Sequence, residues 1–292
     1  MSTAKVATIS KSAFRAYLEL TKPGIIMGNG MSAIAGFMLA SKGPIDYALF
    51  VSMLMGLSLV MASACVFNNY IDRECDAKME RTKHRALVTG RISPKSALVY
   101  STLLGLSGIL LLGVYTNLLT MSLGLLGFLG YVILYSFSKY STSYATVMGS
   151  FAGAIPPTVG YCSVSSHFDL GALLLYAIIV FWQMPHFYAI ALYRKNDYQA
   201  ASIPILPLTK GVLTTKIHML LYTIAFTLTA PLLSIFGYTS PLYLLLSLLL
   251  GASWCILSLQ GFKTRNDVLW ARKMFIFSLI AISSLCVMIS VT

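Results

Sequence analysis

Charge is what this sequence is short of. Asp, Glu, Lys and Arg make up only 10% of its 292 residues, against about 25% in an ordinary soluble domain, and that deficit excludes a chain whose main solvent is water. Acid is scarcer still: nine Asp and Glu stand against 21 Lys and Arg, so any gathering of carboxylates needs a reason. Cysteine is sparse as well. Of the five, Cys65, Cys162, Cys255 and Cys286 fall in apolar stretches or at their ends and Cys75 in a polar loop, with no paired Cys/His spacing. A disulfide framework and structural zinc are thereby excluded. No Ser/Gly-rich linker, low-complexity tract or soluble-sized insert interrupts the chain, which argues for one membrane domain over 1–292 with an N-terminal arm at 1–23.

What is there is apolar: 57% of residues are hydrophobic. Crossing ~30 Å of hydrocarbon takes about 20 helical residues, and the sequence predicts about nine such spans, at roughly 24–41, 47–67, 96–115, 118–138, 145–163, 170–192, 217–236, 241–260 and 274–291. The fifth contains Pro156 and Pro157, whose missing backbone donors predict a broken helix. The fold class expected is an all-α membrane bundle with a central cavity opening toward the cytoplasmic side.

A net charge of +12 suggests nucleic acid only if position is ignored. With the N-terminus cytoplasmic, twenty of the 21 Lys and Arg fall in cytoplasmic segments, Lys42 alone outside, as the positive-inside rule requires. Lipid, not nucleic acid, is the expected partner, and the C-terminus is expected on the periplasmic face. A basic arm before an apolar stretch also resembles a signal peptide, but 23 polar residues are long for one, so the first span is expected to be retained.

Two substantial loops remain, 68–95 and 193–216, both on the expected cytoplasmic side. The first reads NNYIDRECDAKMERTKHRALVTGRISP. Asn68, Asp72 and Asp76 are spaced i, i+4, i+8, so a continued helix lines their oxygens along one face, neighbours about 5–6 Å apart. Hard oxygens in a row suit Mg²⁺, which takes one or two carboxylates and completes its shell with water and phosphate. The plain alternative is a solvated helix with intermingled charge pairs, since Arg73, Glu74, Lys78 and Glu80 lie among them. Four of only nine acids within nine residues favour a polyanion site, as does the cationic run Arg81, Lys83, Arg85 and Arg91 that follows. Arg91 and Lys95 are equally explained as markers of the cytoplasmic side.

In the second loop Asp197 follows Arg194 and Lys195. Within the sixth span lie Gln183, Pro185 and His186. A polar side chain at membrane depth faces a cavity or a partner; the plain alternative for His186 is a hydrogen bond to a neighbouring helix, whereas the Trp182 to Phe187 cluster and its helix-bending proline favour a binding pocket, where a neutral imidazole is able to ligate a metal such as heme iron. Lys139, one turn after Tyr135, either reaches a diphosphate or snorkels. No role is assigned to His84, His167 or His218.

The NxxxDxxxD motif at Asn68, Asp72 and Asp76 resembles the first Asp-rich motif of the intramembrane aromatic prenyltransferase superfamily. Within it TKPGI at 21–25, NNYIDRECDAKMERT, GAIPPTVGY at 153–161, WQMPHFYAIA and DYQAASIPILP resemble the protoheme IX farnesyltransferase (heme O synthase) branch, over nearly the whole chain. The resemblance implies a multi-pass enzyme of the bacterial inner membrane whose substrates are farnesyl diphosphate and heme b. It implies Mg²⁺ held by Asn68, Asp72, Asp76 and Asp197, the three aspartates being catalytic, with Arg81, Arg85, Lys139 and Lys195 neutralising diphosphate. It further implies that His186 serves heme and that heme O passes to a heme A synthase or a terminal oxidase. Tyr193 stands where the wider superfamily has the first Asp of a second DxxxD motif, which leaves the metal count open. Two rivals are a prenyl transfer to a quinone precursor, which needs no His186, and an anion transporter, which would set its charges near the bilayer midplane.

Overall fold

The computed structural model describes residues 13–291; residues 1–12, with Lys5 and Lys11 of the expected arm, and Thr292 lie outside them. Among the described residues every regular element is helical. A short helix α1 (13–20) leads into α2 (Pro23–Ala40), α3 (Tyr47–Asp76) and α4 (Pro94–Tyr115). Next come α5 (Leu118–Leu129), a π-helical turn (Gly130–Tyr135) and α6 (Ser136–Ser141), which stack into one crossing. After α7 (Ala145–Gly153), α8 (Ile155–Ser165) and α9 (Leu170–Tyr193) the chain makes two short helices, α10 (Lys195–Ala200) and α11 (Leu206–Thr209). It ends with α12 (Gly211–Thr229), α13 (Leu232–Ile235), α14 (Pro241–Gln260) and α15 (Asp267–Val291).

Eight of these rods are long and apolar enough to cross a membrane. The fifth expected span is divided into α7 and α8, neither of crossing length, so the expected nine become eight crossing helices and one broken pair. Pro156 and Pro157 open the first turn of α8, where the amides they lack have no intrahelical partner to lose.

Helix starts are written locally. Asp46, Ser93, Asn117, Asp169 and Ser240 each accept a bond from the amide three residues on, satisfying donors that a helix leaves orphaned. Packing then follows membrane rules, in which small residues let backbones approach because lipid offers no hydrophobic drive between helices. Between α2 and α8 the contact is backbone to backbone: a Cβ on Gly36 would lie 2.0 Å from the Pro157 carbonyl oxygen and one on Gly160 1.9 Å from that of Ala33. Helix α3 lies along α4, and α9 is enclosed by α7, α8, α12 and α15. Outward faces carry Leu103, Leu106, Leu110, Leu245 and Leu249, the lipid-facing complement of that core.

Candidate active site

Helix α3 runs past the expected membrane span to Asp76, the continuation that the i, i+4, i+8 spacing calls for. This continuation aligns Asn68, Asp72 and Asp76, and all three are buried, at 3%, 7% and 2% exposure. A solvated helix would leave them wet, so the plain alternative for this stretch fails. Buried carboxylates demand partners, and each of the three side chains has a cation. Lys22 Nζ donates to Asn68 Oδ1 at 2.7 Å. Lys139 Nζ donates to Asp72 Oδ2, and Tyr140 OH to its Oδ1 at 2.7 Å. Arg85 Nη1 donates to Asp76 Oδ2 at 2.5 Å.

The cations arrive from three separate elements. Lys22 closes the turn before α2 in a left-handed conformation, φ 55° and ψ 65°, and that kink turns its ammonium toward α3. Burial lowers it to about 8, with Arg85 and Lys139 pushing the same way and Asp72 opposing. Lys139 and Tyr140 follow the π-helical turn, a local widening common at functional sites; the widened turn is tied in place by Ser136 Oγ, which donates to the Tyr131 carbonyl at 3.1 Å and accepts from Asn68 Nδ2 at 3.3 Å. Arg85 lies in the turns after α3, where Thr82 Oγ1 donates to the Asp76 carbonyl at 2.9 Å.

The second loop folds onto the first. Met79 packs with Ala201 and Ile203, and Cys75, Tyr140, Tyr198 and Ile205 close around them. Burial raises the Tyr198 phenol, and Arg81 acts on it electrostatically, so α10 and the Arg81 segment share one end of the bundle. Asp197 stands on α10 with its Oδ2 4.0 Å from Arg194 Nη1. Among the described residues no three His, Cys, Asp or Glu side chains form a metal cage, so Asp197 does not close one with Asp72 and Asp76. Arg81 is exposed, and neither it nor Lys195 forms an ion pair among the described residues.

His186 sits elsewhere, between α9 and α15. Its Nδ1 is 2.7 Å from Ser278 Oγ, while that hydroxyl donates its only proton to the Phe275 carbonyl at 2.6 Å. Nδ1 therefore carries the proton and Nε2 keeps its lone pair. The ring stacks on Trp182 at 4.9 Å and lies 4.8 Å from Phe275, and Trp182 Nε1 donates to the Ser278 carbonyl at 2.7 Å. This is the interhelical bond of the plain alternative, with one ring nitrogen left for a ligand.

The donor set at the α3 row fits a hard cation. Asn68, Asp72 and Asp76 offer oxygen alone, and too few charges for an all-protein cage, which matches a Mg²⁺ that keeps water and phosphate in its shell. Sequence reasoning counted Lys22 only as a cytoplasmic charge and did not single out Tyr140. The signal available for Lys22 was its place before Pro23, which disfavours helix at the preceding residue.

A profile of the UbiA prenyltransferase family matches residues 29–280. The chain is 55% identical over 276 residues to the protoheme IX farnesyltransferase of Cronobacter sakazakii, with 94% of each chain covered. It is 55% identical over 269 residues to that of Protochlamydia amoebophila, covering 92% of this chain and 95% of the relative. A solved digeranylgeranylglyceryl phosphate synthase superposes with a TM-score of 0.79 at 18% identity, covering 96% of this chain and 98% of that one. A UbiA homolog from Archaeoglobus fulgidus bound to GPP and Mg²⁺ superposes with a TM-score of 0.68 at 15% identity, covering 95% and 100%. Both structures share the fold.

Proposed function

The chain belongs to the UbiA prenyltransferase family, and from that premise we propose that it transfers a farnesyl group from farnesyl diphosphate to a vinyl group of protoheme IX, with addition of water, giving heme O and diphosphate. The observation that carries the site assignment is the buried row of Asn68, Asp72 and Asp76 with one cation on each.

Asn68, Asp72 and Asp76 would hold Mg²⁺, with Asp197 on α10 at the same end of the bundle as the further ligand that the family motif implies. When bound, the ion neutralises charge that grows on the departing diphosphate. Lys22, Lys139 and Arg85 are placed to exchange their carboxylate or amide bonds for phosphate oxygens, with Arg81 and Lys195 in the outer ring of charge. Breaking the C1–O bond leaves its electron pair on diphosphate and an allylic farnesyl cation. That cation needs a dry surround, which the helices supply, and the Tyr135 ring lies beside Lys139, 5.7 Å from its Nζ, where its face can also meet a carbocation. The vinyl carbon then bonds to C1, and water captures the resulting porphyrin-side cation, losing a proton to give the hydroxyl. His186 orients heme through Nε2. The site faces the cytoplasm in the inner membrane.

The test is incubation of purified protein with heme, farnesyl diphosphate and Mg²⁺, then mass analysis of the porphyrin, beside a parallel reaction with 4-hydroxybenzoate. A farnesylated, hydrated heme is expected from the first and no product from the second; the reverse makes the chain a quinone-precursor enzyme. Asp72→Ala and Asp76→Ala should each lower turnover about 100-fold or more, the scale of losing one transition-state electrostatic contact, and near-normal turnover in either removes that residue from the site.

A further inference from the structure

The turn joining α14 to α15 encloses a cleft of about 220 Å³, lined by Leu257, Gln260, Lys263, Thr264, Asn266, Leu269, Trp270 and Lys273. It holds two lysines and no acid. Among the described residues neither Lys263 nor Lys273 has an ion-pair partner, while Asp267, the acid that opens α15, is bonded to Lys216 at 2.6 Å. The cleft therefore keeps an uncompensated double positive charge, with the Thr264 hydroxyl and the Gln260 amide at its wall.

Its floor is built. Trp270 Nε1 donates to the Leu257 carbonyl at 2.8 Å, which pins the indole across the end of α14. Gly261 makes room for it, because a Cβ there would lie 2.3 Å from Trp270 Cζ2. A buried tryptophan at a helix end marks the membrane boundary, and α14 and α15 are both of membrane-crossing length. Leu269 in the lining is exposed, as are Leu259, Phe262 and Val268 in the same stretch of chain, so the cleft opens on an apolar surface. A cleft of this size has room for a phosphate group.

We propose that this cleft binds the phosphate headgroup of an anionic phospholipid, Lys263 and Lys273 holding the phosphate oxygens while the acyl chains lie over Leu269 and Val268. Basic pockets at helix ends recognise such headgroups. The site is separate from the α3 row, and its residues take no part in the chemistry proposed there.

The experiment is lipid retention. The protein is equilibrated with equal phosphatidylglycerol and phosphatidylcholine in detergent, and bound lipid is read by native mass spectrometry. The unmodified protein should retain phosphatidylglycerol about tenfold over phosphatidylcholine, and K263Q/K273Q should lose that preference. R265Q/R272Q removes the same charge from the same end of the helix pair at two residues outside the lining, and should keep it. Equal loss in both double variants means a diffuse surface potential and overturns the site, as does no loss in either. Displacement of the lipid by inorganic phosphate at equal concentration overturns the lipid assignment. Heme O formation by K263Q/K273Q should match that of the unmodified protein, so failure here is distinguishable from failure of the enzymatic reading.

Discussion

Two carboxylates and one amide oxygen lie buried along one face of α3, and each side chain has its own cation. The arrangement is fragile in a definite way, since removing one partner of a buried charge pair costs about 3–5 kcal/mol. Lys22 is the member that chain position hides best. Its partner Asn68 is 46 residues away, and its place before Pro23 is the one local mark that separates it from the other basic residues of the arm. Lys22→Met should raise the KM for farnesyl diphosphate at least tenfold, the equivalent of one charge-assisted hydrogen bond of about 1.5 kcal/mol or more. Lys22→Arg should recover part of the loss, and an unchanged KM would make Lys22 a structural anchor only. The α3 row itself was legible, because i, i+4, i+8 spacing needs nothing beyond helical geometry. Which of Arg81 and Arg85 turns inward was not, because that depends on the irregular turns after Asp76 that bring Arg85 to its carboxylate.

Helices hold the second candidate group. His186 is locked by Ser278, 92 residues later, so α15 sets the orientation of a ring carried by α9. Ser278→Ala removes that lock and should raise the KM for heme severalfold, in keeping with about 0.5–1.5 kcal/mol for one hydrogen bond, while leaving the KM for farnesyl diphosphate unchanged. Equal effects on both would assign the bond to packing alone. The α2–α8 contact predicts a stability effect instead. In Gly160→Ala the new methyl meets a backbone oxygen that cannot rotate away, and the melting temperature in detergent should fall by several degrees, for a cost of about 3 kcal/mol; an unchanged melting temperature would show that the two backbones can part. The division of the fifth span could be expected from Pro156 and Pro157, but not its position. Helix α8 begins at Ile155, so both prolines sit where they are tolerated and the break falls just before them.

For the whole molecule, hydropathy gave the crossing segments well, since every apolar run of about 20 residues became a helix except the broken one. Charge asymmetry adds an orientation, and the prediction is direct: a reporter fused after residue 292 should be active only in the periplasm, while one inserted in the 193–216 loop should be active only in the cytoplasm. The reverse pattern would turn the bundle over and place the site on the other face. Long-range closure was the illegible part. No local pattern announces that α10 folds onto the end of α3, because the contact between Met79 and Ala201 is made by ordinary apolar side chains.

The left-handed turn at Lys22 has a consequence for biogenesis. The chain emerges from the ribosome N-terminus first, so the ammonium enters the bilayer boundary with the earliest crossing helix, and Asn68 reaches it once a single hairpin has closed. Asp72 must wait for Lys139, which is made only with the fourth crossing. A nascent chain halted between the two would already own one finished contact and carry one orphaned carboxylate, which makes the interval between those helices the stage at which an assembling protein is most exposed to quality control.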